Sequence, residues 1–484
     1  MQKGGDYSLV FSNLVFLFIF LPIVLAIYYI SPRKLKNIIL LIASLIFYAW
    51  GEPTYVFLML LSIVINYIFG LIVGNKSKNL KRKKGILIVS IIANLLILGY
   101  FKYVNFFIDL INDVFATSIV YQDLPLPIGI SFFTFQAMSY VIDVYRNDAK
   151  AQRNLFDLAL YIALFPQLVA GPIVRYTTVA EQLKSRVHNM DLVVKGVQQF
   201  ILGLSKKVLI ANPMGALADT IFSTPTDEMS VATAWIGIIA YSLQIYFDFS
   251  GYSDMAIGLG KMFGFEFLKN FNYPYISRSV SEFWRRWHIS LSSWFRDYIY
   301  IPLGGNRLGT WKTYRNILVV WTVTGFWHGA SWTFMAWGFY YGVLISLERA
   351  GMLKWIEKLP RPIQHVYVLL IVMIGWVFFR ADNFTYSFDF IQTLFGFGGV
   401  AYMDQTASLF INDNGYLFIL AFIFAMPVYP WLMEKVNAAQ VRLNSTAFTL
   451  TRNLVEPIVL MLLLVLITVY LVNSTYNPFI YFRF

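Results

Sequence analysis

Cysteine is absent from the 484 residues, which excludes disulfides, Cys acyl-enzymes, thiolate nucleophiles and Cys-ligated zinc or iron–sulfur sites. Charge is also scarce. Asp, Glu, Lys and Arg make up 13% of the chain, half the roughly 25% of soluble domains, while 58% is hydrophobic and mean hydropathy is +0.61. These proportions describe a chain that folds in a bilayer. Acidic residues are the rarer charges, 26 against 38 basic, for a net +12. The basic residues fall between long apolar runs, as in cytoplasmic loops, so nucleic acid is not expected as a partner. Histidine is limited to His188, His288, His328 and His365, with no His-x-x-x-His or Glu-x-x-His pair. A metal site would need mostly carboxylates, and none is expected. No basic n-region or Ala-x-Ala-like site precedes the first apolar run, which reads as a retained helix.

Apolar runs of about bilayer length occupy residues 9–30, 37–50, 55–73, 85–107 and 128–145. The loops alternate in charge: SPRKLK, NKSKNLKRKK and RNDAKAQR follow the first, third and fifth runs, while Glu52, or Asp109, Asp113 and Asp123, mark the others. The positive-inside rule puts the N-terminus outside and the three basic loops in the cytoplasm. Residues 155–174 break the alternation, being apolar yet basic on both flanks. Pro166, Gly171 and Pro172 predict a re-entrant segment there, beside a cavity. Residues 191–211 then lead outward and 231–258 lead back, although Lys206 and Lys207 fit a span poorly. A basic, tryptophan-rich stretch, 278–315, belongs on the cytoplasmic side. Residues 316–347 are too many for one crossing and few for two, which predicts a broken hairpin with Gly325 and Gly329 at its apex and His328 between them. Runs at 363–379, 416–433 and 454–472 bring the total to about ten to twelve spans. The expectation is one all-α polytopic domain over 1–484, no separate soluble domain, and the tail NSTYNPFIYFRF outside.

An ionisable side chain within a span is costly and marks a candidate site. His328, in TGFWHGASWTF, leads: a neutral imidazole is cheaper to bury than a charge and can take a proton from a hydroxyl, as acyl transfer to an alcohol requires. The alternative is a core histidine bonded to a backbone carbonyl. His288 lies in EFWRRWHISLSSWFRDYIYIPLGGNR. There Arg285 and Arg286 offer phosphate pairing, and Trp284 and Trp287 offer stacking, to a phosphorylated acyl donor such as coenzyme A. An interfacial belt of anchoring tryptophans and snorkelling arginines is the alternative. In LQIYFDFSGYSDMAIG, Gln244, Asp248 and Tyr252 recur every fourth residue, with Asp254 close by, so one helix face is polar and lines the interior. A proton or cation path and hydrogen-bonded packing are both open readings. His188 and His365 sit beside loops and receive no role. In the tail, Tyr481 is a phenol that a base could activate as an acyl carrier, or else an aromatic interface anchor.

The blocks SFFTFQAMSYVIDVYR, LFPQLVAGPIVRY, YFDFSGYSDMAIGLGKMFGF, EFWRRWHISLSSWFRDYIYIPLGGNR and TGFWHGASWTF together resemble the membrane-bound O-acyltransferases (MBOAT), in their AlgI-like bacterial branch of alginate and polysaccharide O-acetyltransferases. The likeness runs from the N-terminal spans to the tail. It implies a ring of tilted helices around a central tunnel, with the donor entering from the cytoplasm and the acceptor reached from outside. It implies that His328 matches the family's catalytic histidine and His288 its second histidine, on the cytoplasmic side. The implied donor is acetyl-CoA or another acyl thioester, carried by CoA or an acyl carrier, with no bound cofactor. The implied partners are a membrane-tethered extracytoplasmic SGNH-type acetyltransferase and an exported polysaccharide, at the cell membrane of a bacterium.

The tail resembles the acyl motif of the related D-alanylation system, which would make Tyr481 a relay. On this basis the thioester binds near Arg285, Arg286 and His288, and His328 is general base for a hydroxyl of Tyr481, the partner or the polymer. D-Alanyl transfer to teichoic acid and O-acetylation of peptidoglycan are rival enzyme readings. A polysaccharide or lipid transporter is the rival outside enzymes and would depend on Asp248 and Asp254 rather than His328. A scaffold would need neither set.

Overall fold

The computed structural model describes residues 10–75, 79–122, 124–169, 171–443, 446–474 and 476–478. Every regular element among them is helical. Eight of these helices are long and apolar enough to cross a membrane, which makes the chain a multi-pass membrane protein.

The chain divides into two compact units, Met1–Phe200 with Tyr252–Lys269, and Ile201–Gly251 with Asn270–Phe484. The first contains α1 (Leu21–Ile30), α2 (Lys36–Gly51), α3 (Tyr55–Gly74), α4 (Leu80–Lys102), α5 (Val104–Phe115), α6 (Ile130–Arg146), α7 (Leu155–Ala163), α8 (Phe165–Leu168), α9 (Tyr176–Lys184) and most of α10 (Met190–Ser205). The second contains α11 (Asn212–Phe222), the first part of α12 (Val231–Met262), α13 (Val280–Arg286), α14 (Ile289–Phe295), α15 (Thr310–His328), α16 (Trp332–Leu347), α17 (Leu353–Ile356), α18 (Arg361–Arg380), α19 (Phe384–Leu394), α20 (Gln405–Ala425), α21 (Val428–Leu443) and α22 (Thr446–Asn473).

In the first unit, α3 and α6 approach closely at Gly70, where a Cβ would lie 2.5 Å from Cε1 of Tyr140. Asn66 of α3 and Asn94 of α4 exchange amide hydrogen bonds, both 2.9 Å, so neither buried amide is orphaned in the apolar layer. The stretch expected to be re-entrant consists of α7 and the four-residue α8, separated by non-helical Leu164. Nine residues of helix rise only about 14 Å, half a hydrocarbon core. Pro166 sits in the first turn of α8, where its missing N–H is no loss.

In the second unit, a π-helical stretch, Lys206–Ala211, joins α10 directly to α11. Lys207, an awkward residue for a span, is neutralised there. Its Nζ lies 2.7 Å from the Asp248 carboxylate of α12, and both side chains are almost wholly buried. The α15–α16 hairpin exists, but its turn is at Gly329 to Ser331 and Gly325 lies inside α15. Gly325 and Gly338 instead face each other across the hairpin: a Cβ at Gly325 would strike the Phe334 carbonyl, and one at Gly338 the Trp321 carbonyl. The expected run 416–433 does not form one span. Helix α20 ends at Ala425 and α21 begins at Val428, because Pro427 lacks an N–H and holds Met426 at ψ 158°.

Candidate active site

Helix α13 has only seven residues and depends on side chains for its start. Ser279 Oγ accepts from the Glu282 N–H (3.0 Å), and the Glu282 carboxylate accepts from the Arg278 N–H (2.9 Å). Buried Glu348, just beyond α16, accepts from the N–H groups of Val280 (2.7 Å) and Ser281 (2.9 Å). These bonds set the direction in which Trp284, Arg285, Arg286, Trp287 and His288 follow one another.

His288 adopts φ +43°, a left-handed conformation uncommon outside glycine, and so turns the chain into α14. Its Nδ1 lies 3.2 Å from Asn270 Oδ1, the same atom that accepts from the Ser290 N–H (3.1 Å) and the Ser290 hydroxyl (2.9 Å). A backbone N–H can only donate, so the Asn270 atom is the oxygen and His288 Nδ1 carries the proton. Nε2 is then the unprotonated nitrogen. It is buried and has no hydrogen-bond partner among the described residues. The ring stands edge-on to Phe249 at 4.5 Å. Burial pushes the imidazole down to about 3.

His328 is the last residue of α15, 8% exposed, with its ring between Trp327 (4.8 Å), Trp337 (5.1 Å) and Phe379 (5.2 Å). Both histidines line one cavity of about 360 Å³. Trp284, Arg285 and Trp287 line it too, as do Ile317, Val320, Trp321 and Thr324 of α15. Trp284 Nε1 is buried without a hydrogen-bond partner among the described residues, and Arg285 forms no salt bridge among them. The cavity is thus lined by imidazoles, indoles and a guanidinium. That set can receive an anionic ligand with a carbonyl and hydrogen-bonding arm.

The structure brings together five of the residues singled out from sequence: His328, His288, Arg285, Trp284 and Trp287. Arg286 lies elsewhere, bonded to Glu282 (2.9 Å) and to the Asn272 carbonyl (3.0 Å). Of the polar positions of α12, Gln244, Asp248 and Tyr252 are buried as expected and Asp254 is half-buried, but none lines this cavity. Gln244 packs beside Gly215, Asp248 pairs with Lys207, Tyr252 stacks on Phe11 at 4.5 Å, and Asp254 accepts from Gln199 at 3.1 Å. Tyr481 lies outside the described residues. Asn270 and Glu348 escaped the sequence reading, since each acts across a long stretch of chain. Trp321 and Thr324 were within reach of it: residues 317, 320, 321, 324 and 328 share one face of a helix with His328.

Residues 45–379 match the model of the membrane-bound O-acyltransferase family, MBOAT. The chain belongs to this family. The match spans every cavity residue, and an O-acyltransferase takes an acyl donor as substrate. This O-acyltransferase is 40% identical over 501 residues to the "Probable alginate O-acetylase AlgI" of Azotobacter vinelandii, covering 98% of this chain and 100% of that protein. It is 33% identical to the "Peptidoglycan O-acetyltransferase" of Helicobacter pylori, covering 99% and 98% of the two chains. Similarity to the "Teichoic acid D-alanyltransferase" of Bacillus subtilis is 28% and covers 48% of this chain and 60% of that one.

Proposed function

We propose that this O-acyltransferase moves an acetyl group from a cytoplasmic thioester, acetyl-CoA or an acetylated carrier, to a hydroxyl for O-acetylation of an exported polysaccharide. The observation that carries the reading is the single cavity lined by His328, His288, Arg285 and Trp284. In the step proposed, His328 takes the hydroxyl proton and the oxygen attacks the thioester carbonyl carbon. The C–S bond breaks, the thiolate leaves and recovers the proton, and an ester remains. Trp284 Nε1–H is the donor available to the carbonyl oxygen as charge builds on it. Neutral His288 offers its Nε2 lone pair to an N–H or O–H of the donor arm, and Arg285 offers its guanidinium to a phosphate. Tyr481 is the proposed relay to an extracytoplasmic SGNH-type partner. The setting is a bacterial cytoplasmic membrane, with a single domain of about ten to twelve spans. Full-length similarity to O-acetylating proteins, against half-length similarity to D-alanyltransferases, favours acetyl over D-alanyl.

The test is the ester-linked group that mild alkali releases from exported polymers of cells making wild-type or His328→Ala protein at equal membrane levels. Acetate should be present in the first and absent in the second. D-Alanine in its place would move the protein to teichoic acid. Equal release from both strains would remove His328 from the mechanism.

A further inference from the structure

At the end of α1 in the first unit, four basic residues collect around one buried phenol. The Tyr28 hydroxyl donates to the Phe263 carbonyl (2.9 Å) and lies 2.8 Å from His188 Nε2 and 3.3 Å from Arg186 Nη2. Lys36 Nζ sits 4.6 Å from the Tyr28 ring centroid and 5.2 Å from that of Tyr29, and Lys36 is only 8% exposed. Arg186 also stacks on Phe265 at 4.3 Å, and its Nε is buried without a hydrogen-bond partner among the described residues. No carboxylate among the described residues pairs with Lys36, Arg186 or nearby Arg33. Burial, and then the charges of Lys36, Arg186 and Arg33, hold the His188 imidazole below its ordinary value.

Topology alone places basic residues in exposed loops, free to point into water. Lys36 and Arg186 are instead held by aromatic faces, the Tyr28 phenol and, for Arg186, the Gln182 carbonyl (3.1 Å), with no counter-charge among the described residues. A cation held partly out of water without a counter-charge is costly, and a phosphate group would supply the missing negative charge beside Lys36 and Arg186. The apolar surface beside the cluster is bare: Ile27 is 49% exposed, Ile30 85% and Leu35 47%. A ligand that unites an anionic head with hydrocarbon chains fits both features. We infer that Lys36, Arg186 and His188 form a phosphate-ester site filled by the headgroup of an anionic membrane lipid. It lies on the flank that the basic loops assign to the cytoplasm, and it does not depend on the acyl-transfer reading.

The test is native mass spectrometry of the full chain, delipidated and titrated with phosphatidylglycerol. One tightly held lipid is expected on wild-type protein. Its affinity should fall about tenfold or more in Lys36→Gln/Arg186→Gln and be kept in Lys36→Arg and in the exposed control Arg153→Gln. If the double variant does not fold, Arg186→Gln alone should show the loss. Equal retention by wild-type and Arg186→Gln protein would overturn the site. Displacement of the lipid by equimolar coenzyme A or inorganic phosphate would overturn its assignment to a lipid.

Discussion

At the scale of single residues, Asn270 decides what His288 can do. By fixing the proton on Nδ1 it leaves Nε2 unprotonated, and the imidazole stays neutral. Replacing it with leucine strands the Ser290 N–H and frees the ring to adopt the other tautomer. We expect Asn270→Leu to lose about 1–3 kcal/mol of stability, read as a lower melting temperature in detergent, and to shift the ring-nitrogen NMR signals of His288. Acidity gives a second test. The unfolded chain takes up a proton at His288 near pH 6.5, which the folded chain refuses until about 3. The stability of the neutral buried ring is complete above about pH 6.5 and lost as pH falls towards 3. Melting temperature should fall across that window more steeply for wild-type protein than for His288→Gln.

Among the elements, the hairpin of α15 and α16 depends on two missing side chains. A methyl group at Gly338 would meet the Trp321 carbonyl, so Gly338→Ala should cost about 1–3 kcal/mol or more. None of the described residues lies within 4 Å of a Cβ at Gly415 in α20, and there alanine should be neutral or stabilising because of its better helix propensity. A thermal-shift comparison of the two variants checks both. The Lys207–Asp248 pair answers the transporter reading in the same way. Asp248→Ala leaves a buried ammonium and should cost about 3–5 kcal/mol, while Lys207→Met/Asp248→Leu should recover most of that loss. Restored polymer acetylation in the double variant would mark the pair as structural. Failure of acetylation in a stable double variant would return these residues to function.

For the whole molecule, much was legible because the bilayer imposes simple rules. Apolar length located α2, α3, α18 and the core of α22, and Pro166 marked the break between α7 and α8. The five cavity residues could be named because they cluster in two contiguous stretches around 284–288 and 328. Pairings distant in sequence were not legible. Glu348 reaches back to Val280, Asn270 forward to His288, and Lys207 across to Asp248, and no local pattern announces such partners. The hairpin turn was misplaced by a few residues because a glycine that permits close packing looks, in sequence, like one that permits a turn.

The chamber itself has a consequence for economy of recognition. At about 360 Å³ it lies near the small end of the roughly 300–1,000 Å³ typical of ligand pockets. On the proposed reading, a space of that size takes the acyl group and its arm and leaves the bulk of the carrier outside. A site so built reads the acyl group in the chemical step and uses the carrier only for docking. S-acetylpantetheine should then support the same kcat as acetyl-CoA and differ only in KM, the signature of a handle that contributes to docking and nothing to the chemistry.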